Sequence, residues 1–123
     1  MTLTREEILA MDNWRKLDGL VADKVMGFDM VEDTLPQLPK YYLPEYERTI
    51  QRDVPLYSSD ISAAWEVVDK MNERDEHSLA LEFYPNEKEW GADFDEFAVS
   101  SQAVSKTAPE AICKAALLAV LNL

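Results

Sequence analysis

The chain has few of the residues on which most catalytic and metal sites depend. Its 123 residues include one cysteine, one histidine and three glycines. A single cysteine, Cys113, excludes an intrachain disulfide and favours a reducing compartment. The common phosphate-binding, serine-hydrolase, zinc-protease and redox motifs are missing from the sequence. We therefore expect a protein that is not an enzyme and that has no catalytic residues, no metal and no cofactor.

Basic side chains and long hydrophobic runs are also scarce. There are 12 basic and 24 acidic residues, which gives a formal net charge of -12. This charge opposes non-specific binding to DNA and to anionic membranes. The longest apolar stretch, residues 111–121, is shorter than the roughly 20 residues of a membrane span, and residues 1–7 contain no apolar signal segment. We expect no direct nucleic-acid binding and no membrane partner.

The remaining composition is that of a single globular domain covering residues 1–123. Thr4 with Glu7 and Thr107 with Glu110 have the spacing of capping boxes at helix starts. Hydrophobic periodicity predicts two antiparallel strands near 78–84 and 90–97, and helices near 5–15, 17–26, 60–73 and 108–121. These elements predict an α+β fold. Its buried residues should include Trp65, Leu81, Phe83, Phe94, Ile112 and Leu118.

Residues 28–57 differ from the rest because four prolines and four tyrosines crowd into them. After a short strand near 28–31, the segment is predicted to be a long, partly ordered loop. Tyrosine rings can stack on a nucleotide base, arginine can fork onto phosphate, and a helix start binds anions. The alternative is that the tyrosines cover the core and the arginines pair locally. The candidate ligand-binding residues are Lys40, Tyr41, Tyr42, Arg48, Arg52, Tyr57, Ser58 and Ser59.

Other residues carry weaker functional signals. His77 has no sequence-evident partner, which favours an exposed turn residue over a catalytic base. Cys113 lies in the most apolar helix and is expected to be a packed, inert thiol. Four carboxylates near the edge of the predicted hairpin have the oxygen chemistry of a cation site, although a solvated acidic face is the expectation. They are Glu82, Asp93, Asp95 and Glu96.

Three blocks of the sequence together resemble the phage ABA sandwich domain family. They are residues 20–28 (LVADKVMGF), 57–68 (YSSDISAAWEVV) and 107–119 (TAPEAICKAALLA). The resemblance implies a three-layer α/β/α sandwich with a small, mainly antiparallel sheet, encoded by a phage or prophage. It brings no catalytic motif with it. The chain departs from the family in the length and tyrosine content of residues 28–57.

Together these features favour a non-enzymatic binding protein in the cytoplasm of a bacterial host. The leading hypothesis is an anti-defence sponge that sequesters a small nucleotide-like immune signalling molecule. The alternative is an acidic protein–protein inhibitor or DNA mimic that acts on a host defence protein, and a structural or packaging accessory is a third interpretation. The apolar C-terminal helix predicts a homo-oligomer in which part of the helix forms the subunit interface. The alternative is that the helix is buried within the core of the domain.

Overall fold

The computed structural model describes residues 3–32, 34–35, 38–75, 78–94 and 102–123. Its helices are α1 (Arg5–Leu9), α2 (Trp14–Leu20), α3 (Ile61–Asp75) and α4 (Ala108–Val120). One antiparallel sheet has the order β1 (Asp29–Met30), β2 (Lys40–Tyr42), β3 (Gln51–Asp53). A second has the order β4 (Ala80–Tyr84), β5 (Glu89–Asp93), β6 (Ala103–Ser105). The predicted α+β class is confirmed.

The first two helices begin at side-chain caps. The Thr4 hydroxyl accepts the Glu7 N–H at 3.1 Å, and the Glu7 carboxylate accepts the Thr4 N–H at 3.2 Å, so the predicted capping box is formed. Helix α1 is nevertheless shorter than predicted, because Asn13 caps a new helix close behind it. Helix α2 continues into one π-helical turn, Val21–Val25, before Gly27. Gly27 has the positive φ of 72° that ends a helix without a steric cost.

Helix α4 forms the centre of the fold. It packs against β5 and β6 of the second sheet, against α3 and against the π-helical turn. Ile112 and Leu118 are buried as predicted. Since the chain itself encloses this helix, its apolar surface is explained without a second subunit. The homo-oligomer stays a prediction, and light scattering that reports a single 14.1 kDa species would contradict it.

The start of α4 differs from the expectation. Thr107 occupies the N-cap position in an extended conformation, but its side chain makes no capping hydrogen bond. Glu110 forms an ion pair with Lys114 at 2.9 Å instead, and the Lys114 ammonium also donates to the Leu9 carbonyl at 2.9 Å. The predicted capping box is wrong here because Glu110 is used to neutralise a lysine that is only 4% exposed.

The second sheet contains the predicted hairpin and one additional strand. β4 and β5 pair through Leu81 with Ala92 and Phe83 with Trp90. The additional strand, β6, was not predicted, because its three residues are too few to show an alternation of apolar and polar side chains in the sequence. Residues 95–97 of the predicted second strand lie outside the described residues. The inner face packs on α4, whereas the outer face carries the exposed Glu82, so the third layer of the expected sandwich is not confirmed.

The predicted burial is correct for Phe94 and wrong for two aromatic residues. Trp65 is 46% exposed and Phe83 is 45% exposed, while Leu81 is half-buried. The apolar residues of α3 occupy two adjacent stripes, and the core takes only one of them. Its residues are Ala63, Ala64, Val67 and Met71, which leaves Trp65 on the neighbouring face.

Residues 28–57 contain the predicted short strand, which is β1, and two further strands that were predicted as loop. Strands β2 and β3 were missed because each has only three residues and because Pro39, Pro44 and Pro55 flank them. The chain that leaves β3 is anchored on α2. The Arg15 guanidinium donates to the Val54 carbonyl at 2.7 Å and to the Asp18 carboxylate at 2.7 Å. Asp18, which is fully buried, accepts the Ser58 N–H at 2.7 Å.

Candidate ligand-binding site

The alternation of strand β2 separates the predicted site residues onto two faces of the first sheet. Lys40 and Tyr42 lie on one face, and Tyr41 lies on the other because consecutive side chains of a strand point in opposite directions. Tyr41 is opposite Arg52 on β3, so Arg52 shares the face of Tyr41. The sequence segment that appeared to be one cluster is therefore two separate surfaces.

The face that carries Tyr41 is directed to the interior. The Tyr41 ring stacks on Phe28 with their centroids 4.3 Å apart and their planes 21° from parallel. Both rings pack against the buried core, and Met30 joins them. Arg52 is exposed at the edge of this arrangement. Tyr41 thus covers the core, as the alternative interpretation of the tyrosines expected.

Tyr57 and Ser58 are parts of the interior as well. Tyr57 is 1% exposed, and burial raises the pKa of its hydroxyl. The Ser58 N–H donates to Asp18, and its hydroxyl donates to the Trp14 carbonyl at 3.1 Å. In this conformation of the protein, a ligand reaches neither the Tyr57 ring nor these Ser58 donors. The candidate site therefore does not include Tyr57 or Ser58.

The start of α3 is occupied by a carboxylate. Asp60 Oδ1 accepts the Ser62 N–H at 3.0 Å, which uses one of the free donors of the first turn. Ser59 is exposed beside it. The negative charge of Asp60 opposes an anion at this helix start, so Ser59 has no anion-binding environment there.

Arg48 and Tyr42 form a cation–aromatic contact on the open face of the first sheet. Glu47 and Arg48 have positive φ values of 47° and 68°, and they form the turn between β2 and β3. The turn places the Arg48 guanidinium 5.0 Å from the centre of the Tyr42 ring. Lys40 lies on the same face of β2. We call Lys40, Tyr42 and Arg48 the cation–aromatic face.

Each cation of this face is held by a carboxylate. The Arg48 Nε and Nη2 donate to the two Asp29 oxygens at 2.9 Å each, and Lys40 donates to Asp53 at 3.0 Å. The hydrogen bond from Arg48 lowers the pKa of Asp29, and the same bond raises the pKa of Arg48. The guanidinium Nη1 takes part in neither bond with Asp29. This fork fixes the guanidinium plane over the ring and leaves one donor group directed elsewhere.

The sequence did not identify the carboxylates that hold these cations. Asp29 comes from β1 and pairs in register with Tyr42, which explains why it reaches Arg48 across the sheet. Asp53 is the cross-strand partner of Lys40. Both relations depend on strand register, and the register is invisible when the strands are predicted as loop. The alternation of side chains around Tyr42 was the only feature of the sequence that could have indicated two separate faces.

A sequence model of the phage ABA sandwich domain matches residues 19–117 of the chain. The chain belongs to the phage ABA sandwich domain family. The match begins in α2 and ends in α4, and it therefore includes both sheets. The resemblance carried by the three sequence blocks is confirmed.

A solved structure supports the assignment of this ABA sandwich protein to the family. The chain is similar to a phage protein from Bacillus cereus ATCC 14579 whose crystal structure was determined at 2.0 Å. The two share 26% identity and a TM-score of 0.70, over 88% of this chain and 91% of the other. None of the curated proteins compared matches the chain significantly.

Other candidate chemistry in this ABA sandwich protein finds little support. Glu82 and Asp93 lie on the outer face of the second sheet, while Asp95, Glu96 and His77 lie outside the described residues. In the part of the chain that the structure describes, no three histidine, cysteine or acidic side chains are grouped for a metal. Cys113 is buried, and burial raises the pKa of its thiol. No described helix is both long and apolar enough to cross a bilayer.

Proposed function

We propose that this phage-family protein is a non-enzymatic sponge, which binds a nucleotide-type immune signal in the host cytoplasm and keeps it from its effector. The observation that supports the proposal is the guanidinium of Arg48, held over the Tyr42 ring on an exposed face that also carries Lys40. Nucleotides combine an anionic phosphate with a flat base. This face offers two cations and a flat stacking surface to match them.

The geometry suggests how such a ligand would bind. Arg48 covers one side of the Tyr42 ring, so a base would stack on the outer plane of the guanidinium and not directly on tyrosine. A phosphate would approach Arg48 Nη1 and the Lys40 ammonium. Asp29 and Asp53 oppose this approach by their charge, although both ion pairs are exposed, and exposed pairs cost little to rearrange. With a net charge of -12, affinity has to come from local contacts and not from long-range attraction.

The two arginines of the segment provide the test and its control, since they lie on opposite faces of the sheet. Calorimetry against cyclic dinucleotides, cyclic trinucleotides and ADP-ribose derivatives should give binding heat for at least one of them. Arg48→Ala should weaken that binding about ten- to hundredfold, as expected for a charged hydrogen bond of roughly 1.5–3 kcal/mol. Tyr42→Ala should weaken it similarly by removing the support of the guanidinium. Arg52→Ala should leave the affinity unchanged.

A further variant tests the role of the carboxylate. Asp29→Asn removes a negative charge beside Arg48 and keeps the side-chain size, so it should strengthen the binding of an anionic ligand. No heat from any ligand with a folded protein would exclude the sponge. Binding that survives Arg48→Ala and Tyr42→Ala but is lost with Arg52→Ala would move the site to the opposite face.

The alternative function, an acidic inhibitor or DNA mimic directed at a host defence protein, is supported by the excess of 24 acidic over 12 basic residues. A mimic needs carboxylates spaced along a surface like phosphates. Negative calorimetry would favour this function over the sponge. Competition between the protein and duplex DNA for a DNA-binding host protein would then be the direct measurement.

A further inference from the structure

An apolar groove lies between α3 and β4, apart from the cation–aromatic face, and its half-buried Val68, Leu79 and Leu81 also pack against the edge of the core. Its volume is about 500 Å³. The floor consists of half-buried aliphatic side chains, and an indole forms part of the wall. Its lining includes Trp65, Val68, Asp69, Asn72, Leu79 and Leu81.

The groove is lined by the second apolar stripe of α3. Ile61, Trp65 and Val68 follow one another at spacings of four and three residues, so they share one face of the helix. The stripe that contains Val67 and Met71 is buried in the core. Ile61 is 42% exposed and Trp65 is 46% exposed. A helix that needed only to cover the core would not require this second stripe.

Strand β4 contributes an unpaired edge to the same groove. Among the described strands, β4 is at the edge of its sheet and pairs only with β5. Leu79, Leu81 and Phe83 point to the groove side of the strand, and Phe83 is braced by Trp90 at a ring distance of 4.9 Å. From residue 79 to residue 83 the strand extends about 13 Å at roughly 3.3 Å per residue. A free strand edge beside apolar side chains is the arrangement that accepts an added strand.

The charges around the groove specify the chemistry of an occupant. Asp69 lines the groove, and Glu82 is exposed on the opposite face of β4. Neither carboxylate forms an ion pair with the described cations. A basic segment would complement them. A second copy of the chain would instead bring another net charge of -12 to an acidic surface.

We propose that the groove between α3 and β4 docks an extended, basic segment of another protein, which pairs with the free edge of β4. Alternate apolar side chains of that segment would contact Trp65 and Leu81, and its lysine or arginine side chains, which point to the opposite face of the added strand, would lie near Glu82. The main-chain hydrogen bonds of an added strand supply affinity, while the groove selects alternate side chains. This docking surface does not depend on the ligand site of the first sheet.

The test uses the full chain and a labelled nine-residue synthetic peptide that alternates valine or isoleucine with lysine or arginine. Fluorescence anisotropy should report saturable binding, and Trp65→Ala should weaken it at least tenfold. Trp14→Ala is the matched control, because Trp14 is similarly exposed at 48% on another helix and should not affect binding. Two further peptides are N-methylated at one or at the other alternating set of residues, because the main-chain N–H groups of a strand point alternately to its two edges. The peptide that has lost every donor facing β4 should bind at least tenfold more weakly. Glu82→Lys should also weaken binding of the basic peptide, because it reverses the charge beside the lysine and arginine side chains.

Several results would overturn the proposal. One is the absence of saturable binding, and another is undiminished affinity for both methylated peptides, which would show attraction by charge alone. Equal effects of Trp65→Ala and Trp14→Ala would do the same. A dimer in light scattering that dissociates with Trp65→Ala would identify a second copy as the occupant. Arg48→Ala should leave peptide binding intact, so failure here and failure of the sponge are separate results.

Discussion

Charged side chains occur both in the interior around α2 and α4 and on the open face of the first sheet, and the two regions use them differently. In the interior, Asp18 and Lys114 are almost fully buried, and each bonds to a backbone group of another element. On the sheet, Asp29 and Asp53 bond only to exposed cationic side chains. The interior pairs connect parts of the chain, whereas the surface pairs connect side chains that can move.

The difference follows from solvation. A buried charge that loses its partner is left without water, so breaking a buried pair is costly. An exposed pair exchanges its partner for water at little cost. The interior charges are therefore suited to fixing the fold, and the charges of the cation–aromatic face are suited to exchanging a carboxylate for a ligand. Substitutions in the two regions should differ accordingly.

The largest effect should come from Asp18→Ala. This substitution leaves the buried Ser58 N–H unsatisfied and removes the carboxylate partner of Arg15, so the segment that leaves β3 loses one of its anchors on α2. Removing one member of a buried pair typically costs about 3–5 kcal/mol. Chemical denaturation should show a loss of that size. Asp23→Ala, an exposed carboxylate in the adjoining turn, is the control and should change stability by less than about 0.5 kcal/mol.

A smaller loss is expected for Lys114→Met, which keeps most of the alkyl packing but removes the ammonium. The Leu9 carbonyl and the Glu110 carboxylate then lack their donor. An unsatisfied buried polar group costs roughly 1–3 kcal/mol. The double variant with Glu110→Gln should recover part of the loss, because the unpaired charge is gone. If Lys114→Met were as stable as the parent, the lysine would not hold α1 to α4.

Trp65→Ala should cost less than a core tryptophan would. The truncation of a fully buried tryptophan typically costs about 3–5 kcal/mol. Since Trp65 is 46% exposed, we expect about half of that loss or less, and Trp14→Ala, at 48% exposure, should be similar. Thermal or urea unfolding of the two variants measures this directly. A Trp65→Ala loss above about 3 kcal/mol would return Trp65 to the core and remove the apolar groove.

The two regions also differ in how well the sequence predicts them. The capping residue Thr4 and the apolar run of α4 determine their structures locally, so these elements were predicted correctly except at the Thr107 cap. The burial of Trp65 was predicted wrongly, because α3 has two apolar stripes and only tertiary packing selects the stripe that is buried. The cation–aromatic face depends on the register of three short strands. Arg48 and Arg52 were predicted to act together, and the alternation of β3 and its turn separates them.

The smallest effect on stability is expected at the Asp29–Arg48 pair, where a titration is the more sensitive measurement. The hydrogen bond from Arg48 lowers the pKa of Asp29 in the folded protein below that of an ordinary aspartate, roughly 3.9. A lowered carboxylate pKa stabilises the fold above the unfolded-state pKa, and this contribution is lost as the pH falls through the folded-state pKa.

Carbon NMR of the Asp29 carboxyl should therefore give a midpoint below roughly 3.9. Arg48→Ala should raise that midpoint, whereas Lys40→Ala, which removes the cation of the neighbouring pair, should not. The melting temperature near neutral pH should fall only slightly in Arg48→Ala, since water solvates both partners. A midpoint that Arg48→Ala leaves unchanged would show that the fork between Arg48 and Asp29 does not persist in solution.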